Sequence, residues 1–460
     1  MPDELRVVFI GAASVQWGYK LTRDFLVVLS SDSGCVKRRP VLVLEDLDAE
    51  NLQRTHQLAE KIAAMLGNKV RIESTTNQKE AITGASFVVT CLAVGGLEAM
   101  ASDIEVPYEY GIYQPVGDSI SIGAAARAAR NIPVFVSIAN DMKEVGAENA
   151  WMLNISNPMS ILTRSVARET GVNVVGLCHE IYGGIGTLSR WLGFDESQWR
   201  NILDVGVVGI NHNAWMQKLT INGEDGFPKL REFIESKGIT PDSKRLYDSD
   251  VPELRRANIK MILFLRHGVF PYSGDRHNAE FFTEFLNRDT NLGADYGVML
   301  TTIQSRLVEW RGGARQEMNE LIAGKKKVEL TVSCEAVSRI IRAITVDEDY
   351  YDVSNLPYRG SDLPGVPDGA VIERMCTYNG DGAHPVEVEP LPDPLQEHLA
   401  LHANNIEDII TASVNGDRGL MIEALQRDPL LKNMDSDKIP ELWDRLAEAS
   451  RKYINPAFFG

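Results

Sequence analysis

Read from the N-terminus, the chain alternates short apolar runs with longer stretches in which apolar residues recur every third or fourth position. Leu5-Arg-Val-Val-Phe-Ile10 is rich in β-branched residues, as a strand buried on both faces requires. It gives way to Gly11-Ala12-Ala13-Ser14, then to Trp17, Leu21, Phe25, Leu26 and Leu29, spaced along one face of a helix. Val41-Leu-Val-Leu44 predicts a second strand, residues 52–66 a second helix and residues 86–92 a third strand. Val134-Phe-Val-Ser-Ile138, Ala150-Trp-Met-Leu-Asn154 and Val174-Val-Gly-Leu177 extend the series of strands. Strands and helices in alternation, joined by short turns, predict an α/β fold with a doubly wound parallel sheet. After about residue 195 the alternation fades into helical, loop-rich sequence. Residues 354–394, rich in Pro, Gly and Asp, predict a long excursion or extended ribbon, and amphipathic helices return from His398, over 406–414 and 420–425. The pattern divides the chain into an N-terminal Rossmann-like domain, 1–195, and a second domain, 196–460, of α+β character.

In such a sheet, ligands sit beyond the carboxyl ends of the strands. The first turn receives a dinucleotide pyrophosphate on backbone N–H groups, and an acid at the end of the second strand accepts ribose hydroxyls. Gly11, Ala12, Ser14 and Trp17, with Glu45 or Asp46, are therefore expected to frame a nucleotide. The run Gly11-x-x-Ser14-x-x-x-Gly18 has alanines where the usual fingerprint has glycines, and its acids lie further on than the usual spacing. Acidic residues there favour NAD over NADP, because they repel a 2′-phosphate.

Charge narrows the partners. The 460 residues carry 64 acidic and 47 basic side chains, a formal charge of −17, which opposes nucleic acid and anionic membrane surfaces. No apolar run reaches the roughly 18 residues a membrane helix needs. Five scattered cysteines, an odd number, do not make a disulfide framework. The opening Met1-Pro-Asp-Glu-Leu5 lacks the basic and apolar regions of a signal peptide. The expectation is a soluble cytoplasmic enzyme with no nucleic-acid or membrane partner.

Candidate chemistry concentrates between residues 154 and 280, where four of the eight histidines fall: His179, His212, His267 and His277. Cys178-His179-Glu180 follows one strand and Gly209-Ile-Asn-His212-Asn213 another, so Asn154, Asn157 and Cys178 should converge on one crevice. A thiolate and an imidazole from separate strand ends can hold a divalent cation while leaving positions for substrate oxygens and water. A packed cysteine and a core histidine are the structural alternative. Tyr272-Ser-Gly-Asp275-Arg276-His277-Asn278-Ala279-Glu280 lies between the apolar Met261-Ile-Leu-Phe-Leu265 and Phe281-Phe282. Charges in such a frame are costly unless paired or used, which favours an active-site loop over a solvated turn.

These motifs together resemble glycoside hydrolase family 4, the NAD- and divalent-metal-dependent glycosidases. The resemblance spans nearly the whole chain and rests on Asn157-Pro158, Gly176-Leu-Cys178-His179, Gly209-Ile-Asn-His212, Gly274-Asp-Arg-His277-x-x-Glu280, Gly416-Asp-Arg-Gly-Leu420 and Ala424-Leu-x-x-Asp428-Pro429. Two segments depart from the family pattern: Ala12-Ala13 stands where glycines are usual, and Gly117-Asp-Ser-Ile-Ser-Ile-Gly123 replaces a Gly-Pro-Gly-Gly segment.

The resemblance implies a lactate/malate-dehydrogenase-like fold, NAD+, a divalent metal (Mn2+ first) and a homodimer or homotetramer. It also implies a reaction unlike that of two-carboxylate glycosidases. NAD+ takes hydride from sugar C3, a metal-assisted loss of the C2 proton drives elimination of the aglycone, water adds and NADH returns the hydride. On this reading Cys178 and His212 are metal ligands and Asn157 contacts the metal-bound sugar hydroxyls. Asp275 or Tyr272 is the C2 base, and His179 gives a proton to the leaving oxygen. Cys178-His-Glu-Ile resembles the uronide-cleaving group associated with α-galacturonides, as does the loop from Tyr110 to Asp118, and Arg276 or His277 would clamp the uronate. The alternative is an NAD-dependent hydroxy-acid or sugar dehydrogenase on the same fold.

Overall fold

The computed structural model describes residues 4–31 and 38–460, apart from the side chains of residues 309 and 310. The opening Met1-Pro-Asp3 and one of the five cysteines, Cys35, lie outside the described residues. Among the described residues, thirteen strands join in one sheet. They are β1 (Glu4–Ile10), β2 (Arg39–Glu45), β3 (Arg71–Thr75), β4 (Phe87–Thr90), β5 (Trp151–Asn154), β6 (Asn173–Gly176), β7 (Leu203–Ile210), β8 (Asn213–Ile221), β9 (Glu224–Asp225), β10 (Phe270–Pro271), β11 (Tyr350–Pro357), β12 (Val371–Asn379) and β13 (Gly382–Pro385). Strands β3-β2-β1-β4-β5-β6 form a parallel half in the doubly wound order. The sheet continues through β11, β12, β7, β8 and β10 with antiparallel pairing.

Strand β1 shows why the apolar runs are continuous. Val8 and Ile10 face one core with Phe135 and Ile138, while Val7 and Phe9 face another with Phe25 and Leu26. Both faces are covered, so both faces are apolar. The helix Gly18–Leu29 buries Leu21, Phe25, Leu26 and Leu29, the stripe read in the sequence. The helix Ala49–Met65 starts at Asp48, whose carboxylate accepts the N–H of Asn51.

Three elements differ from the sequence reading. Residues 134–138 are not a strand but part of the helix Ser121–Val145. Its buried positions Ile132, Phe135, Ile138, Ala139 and Met142 recur with the helical period, whereas a half-exposed Val134 and Val136 flank them. Strand β3 was not anticipated, because this edge strand has no fully buried residue and carries no apolar signal. The 354–394 excursion is a ribbon, but an internal one: β11 pairs with β6 through Asn355 and Gly176, and β12 pairs with β7. The sheet therefore runs across the boundary expected near residue 195.

Candidate active site

A cleft of about 1750 Å³ opens along the carboxyl ends of β1, β2, β4, β5 and β6. Gly11, Ser14, Trp17, Glu45 and Asp46 line one end; Asn157, Cys178, His179, His212, Asp275, Arg276 and His277 line the other. Ala12 is not on the wall. It is buried beneath the turn, with its carbonyl accepting the Thr55 hydroxyl at 2.9 Å.

The first turn is tied to the second strand. The N–H groups of Gly11 and Ala12 both donate to the Glu45 carbonyl, at 3.0 and 3.1 Å, and the N–H of Ala13 donates to the Asp46 carboxylate at 3.0 Å. Gly11 has φ +92°, and a Cβ there would lie 2.1 Å from the Cys91 carbonyl oxygen; no other residue fits between β1 and β4. The amides of Gly11 and Ala12 are thus used inside the protein, and a phosphate must be met by other groups. Burial, and then the charge of Asp46, pushes Glu45 up to about 7. Asp46 is raised as well by burial, against the opposing pull of the Asp48 and Ala13 amides.

At the other end, Cys178 follows β6 and His212 sits in the two-residue turn between β7 and β8, at φ +69°. Gly209 permits this turn to fold tightly: a Cβ on it would lie 2.3 Å from the Asn213 carbonyl oxygen. The Cys178 Sγ and His212 Nε2 face each other at 3.4 Å. Burial pushes the Cys178 thiol up and the His212 imidazole down to about 3, the second helped by His277. His277 stacks on His212 with ring centroids 3.7 Å apart, and its Nδ1 is buried without a hydrogen-bond partner among the described residues. Asn157 Oδ1 is likewise buried and unpartnered, while its carbonyl accepts from Arg127 Nε at 2.9 Å. Among the described residues no three His, Cys, Asp or Glu side chains gather into a complete cation site. A soft sulfur and an imidazole nitrogen across a 3.4 Å gap, with an unused amide oxygen on the same wall, fit an incomplete one that leaves positions for ligand oxygens.

The two candidates for a base are separated here. Asp275 is on the cleft wall and 5% exposed, with its oxygens accepting the N–H groups of Ile259 (2.7 Å) and Lys260 (3.1 Å). Burial outweighs Lys260 and these amides and pushes it up to about 6. Tyr272 does not reach the cleft. It is 1% exposed, packed against Gly184, with its hydroxyl donating to Glu373. Burial and then the Glu373 charge raise it well above its ordinary value, so ionisation would set a phenolate against a buried carboxylate. Glu373 in turn accepts from Asn211 (2.9 Å) and Asn355 (2.7 Å), which fixes the β7–β8 turn to β11 and β12. Tyr272 is thus a core residue beneath the site.

His179 is half exposed, 5.9 Å from the Trp17 ring, with Nδ1 3.4 Å from the buried Glu335 carboxylate. The Arg276 guanidinium donates to the Pro115 carbonyl and the Thr301 hydroxyl, leaving its Nε without a partner among the described residues.

A family 4 glycosyl hydrolase model matches residues 6–194, and the model of the family 4 C-terminal domain matches residues 207–431. The chain belongs to family 4 of the glycosyl hydrolases. An α-galacturonidase of Bacillus subtilis is 30% identical over 444 residues, 95% of each chain. The crystal structure of a Bacillus subtilis protein described as a glucosidase superposes with a TM-score of 0.83 at 27% identity, covering 96% of this chain and 99% of that one. A 6-phospho-α-glucosidase from gut microorganisms, solved in complex with NAD and Mn2+, shares the fold at a TM-score of 0.79 and 18% identity over 98% of this chain and 99% of that one.

In this family 4 hydrolase the cleft also gathers residues that sequence reasoning missed. Glu180 accepts the N–H of Gly274 at 2.6 Å; burial opposes its charge, but His277, His212 and that amide hold it below its ordinary value. Asp118 and Ser119 come from the atypical 117–123 segment, and Ser119 Oγ lies 2.6 Å from His212 Nδ1. Arg127, Arg256, Arg306, Arg311 and Arg315 join Arg276 on the wall. No single basic stretch announces them; the fold gathers them from distant positions onto a lining that also carries Glu45, Asp46, Asp118, Glu180, Asp275 and Glu335.

Proposed function

We propose that this family 4 glycosyl hydrolase cleaves α-linked uronides, α-galacturonides first, with NAD+ and a divalent cation, Mn2+ first. The observation that carries this reading is the Cys178–His212 pair, 3.4 Å apart, beside the unpartnered Asn157 Oδ1 at the strand ends of a dinucleotide-type sheet. The α-galacturonidase relative, the solved relative holding NAD and Mn2+, and the arginine-lined cleft support it.

When bound, NAD+ exchanges hydride at sugar C3 and the cation stabilises negative charge on the sugar oxygens as the C2 proton leaves. The protein's own groups do the rest. Cys178 and His212 hold the cation, and Asn157 presents its amide oxygen to the sugar hydroxyls. Asp275, ionised above about pH 6, takes the C2 proton. His179, with Glu335 behind it, gives a proton to the leaving oxygen. Arg276 and His277 meet the uronate, whose carboxylate suits the planar fork of a guanidinium. Gly11, Ser14, Trp17, Glu45 and Asp46 frame the nucleotide, with Ala12 supporting the turn from below.

The test is hydrolysis of nitrophenyl α- and β-glycosides, uronides included, with NAD+, Mn2+ and a thiol reductant, in H2O and D2O. Chelator-sensitive release from an α-uronide is expected, with deuterium at C2 of the product and no build-up of NADH. Asp275→Ala should lose release and incorporation together. NADH accumulating in proportion to substrate would replace this reading by a dehydrogenase.

A further inference from the structure

The segment that departs from the family pattern does specific work on the cation pair. Ser119 Oγ lies 2.6 Å from His212 Nδ1 and 3.1 Å from Asp118 Oδ1. A serine hydroxyl has one proton to give, and a carboxylate can only accept. Asp118 faces the Arg127 guanidinium at 3.9 Å, and within this pocket it carries the negative charge. The serine proton therefore goes to Asp118, and the serine oxygen is left to accept. Its partner must then be a proton on His212 Nδ1.

We propose that Asp118 and Ser119 act as a positioning relay that locks His212 in the Nδ1–H tautomer, with the Nε2 lone pair aimed toward Cys178. The opposite tautomer would place N–H, with no lone pair, in the gap facing the sulfur, and that face of the ring would hold no cation. The relay rests on the proposed function only for the identity of the cation; the tautomer is a property of this chain alone. A carboxylate or similar group behind a ligating histidine fixes both ring orientation and tautomer. Here a hydroxyl is interposed, and the stacked His277 ring, 3.7 Å away, restrains rotation of the imidazole. Arg127 closes the circuit: it holds Asp118 on one side and the Asn157 carbonyl at 2.9 Å on the other, so one network orients His212 and Asn157 together.

The experiment uses the full chain, 15N-labelled and freed of cations with a chelator, with long-range proton–nitrogen correlation reading the His212 tautomer. Mn2+ affinity is measured separately by calorimetric titration. The wild type is expected to show Nδ1–H. Ser119→Ala should lose that preference and bind Mn2+ about 10–100-fold more weakly, with its thermal midpoint unchanged, and Ser119→Thr should restore both. An Nε2–H tautomer in the wild type, or wild-type Mn2+ affinity in Ser119→Ala, would overturn the relay. A wild type that shows Nδ1–H yet binds no Mn2+ would leave the relay standing and count against the cation in the proposed function.

Discussion

At the scale of single residues, the site consists of groups whose ordinary chemistry is shifted by burial. Cys178 and His212 are both enclosed, one pushed up and the other down, so the imidazole keeps its lone pair, while the thiol has to release its proton when a cation binds. Cys178→Ser and His212→Ala are each expected to abolish glycoside hydrolysis, a loss of at least about 100-fold, while circular dichroism and thermal midpoint stay near wild type. Full activity in either variant after cation titration would remove the pair from the site. Asp46 is the corresponding residue for the proposed nucleotide site. Asp46→Ala should weaken NAD+ by about 1–3 kcal/mol, measured by quenching of tryptophan fluorescence. The loss combines a missing ribose acceptor with a turn amide, that of Ala13, left without its partner.

Elements are joined to one another by buried polar ties rather than by apolar contact alone. Glu280, on the short helix Asp275–Phe281, accepts the N–H groups of both Val116 and Gly117 at 2.7 Å. It holds the start of the segment that carries Asp118 and Ser119 against the helix that carries Asp275 and His277. Glu280→Ala leaves two buried amides unsatisfied, at about 1–3 kcal/mol each. The expected result is a destabilised protein in denaturant titration and weaker cation binding. Glu280→Gln keeps an acceptor in place and should recover most of both. The sequence showed Glu280 within a charged motif framed by apolar residues, and the cost of such burial pointed correctly to use. It did not show that the use was structural, since the partners lie more than 160 positions away.

For the whole molecule, acid sensitivity has an identifiable source outside the cleft. On the helix Asp393–Asn415, His398 and His402 meet with Nε2 atoms 3.0 Å apart. His398 donates to the Phe281 carbonyl and accepts at Nδ1 from Asn213. Neither ring has room for a second proton. Burial, with only the Phe281 carbonyl opposing, takes His398 down to about 4; His402 is depressed by burial and then by His398. A histidine with its folded-state pKa below the unfolded value of about 6.5 contributes stability above that pH, and loses it as pH falls toward the folded value. Between pH 6.5 and 4 the wild type should lose stability relative to a His398→Gln/His402→Leu variant, by on the order of 1.4 kcal/mol per pH unit per titrating ring. Urea unfolding of both proteins at pH 8, 6 and 4.5 measures the narrowing gap, and a constant gap would contradict the assignment.

The sequence by itself determined most of the parallel half of the fold, the edge strand β3 apart. Strands buried on both faces must be apolar throughout, and an amphipathic helix must show its stripe, so β1, β2, β4 and the helix Gly18–Leu29 are legible locally. It misread residues 134–138, because a short apolar run has the same composition in a strand and in a buried helix; only the longer period around it decides. It also brought Cys178, His212, Asp275 and His277 to attention, since reactive types at strand ends carry their own signal. Tertiary structure alone decided which of them share a wall. It put Tyr272 into the core against Glu373, moved Ala12 beneath the turn and set Ser119 behind His212 across 93 positions. Those outcomes depend on contacts between distant strands and loops, whose geometry is set by packing the whole sheet, and no local pattern of residues encodes such a distance.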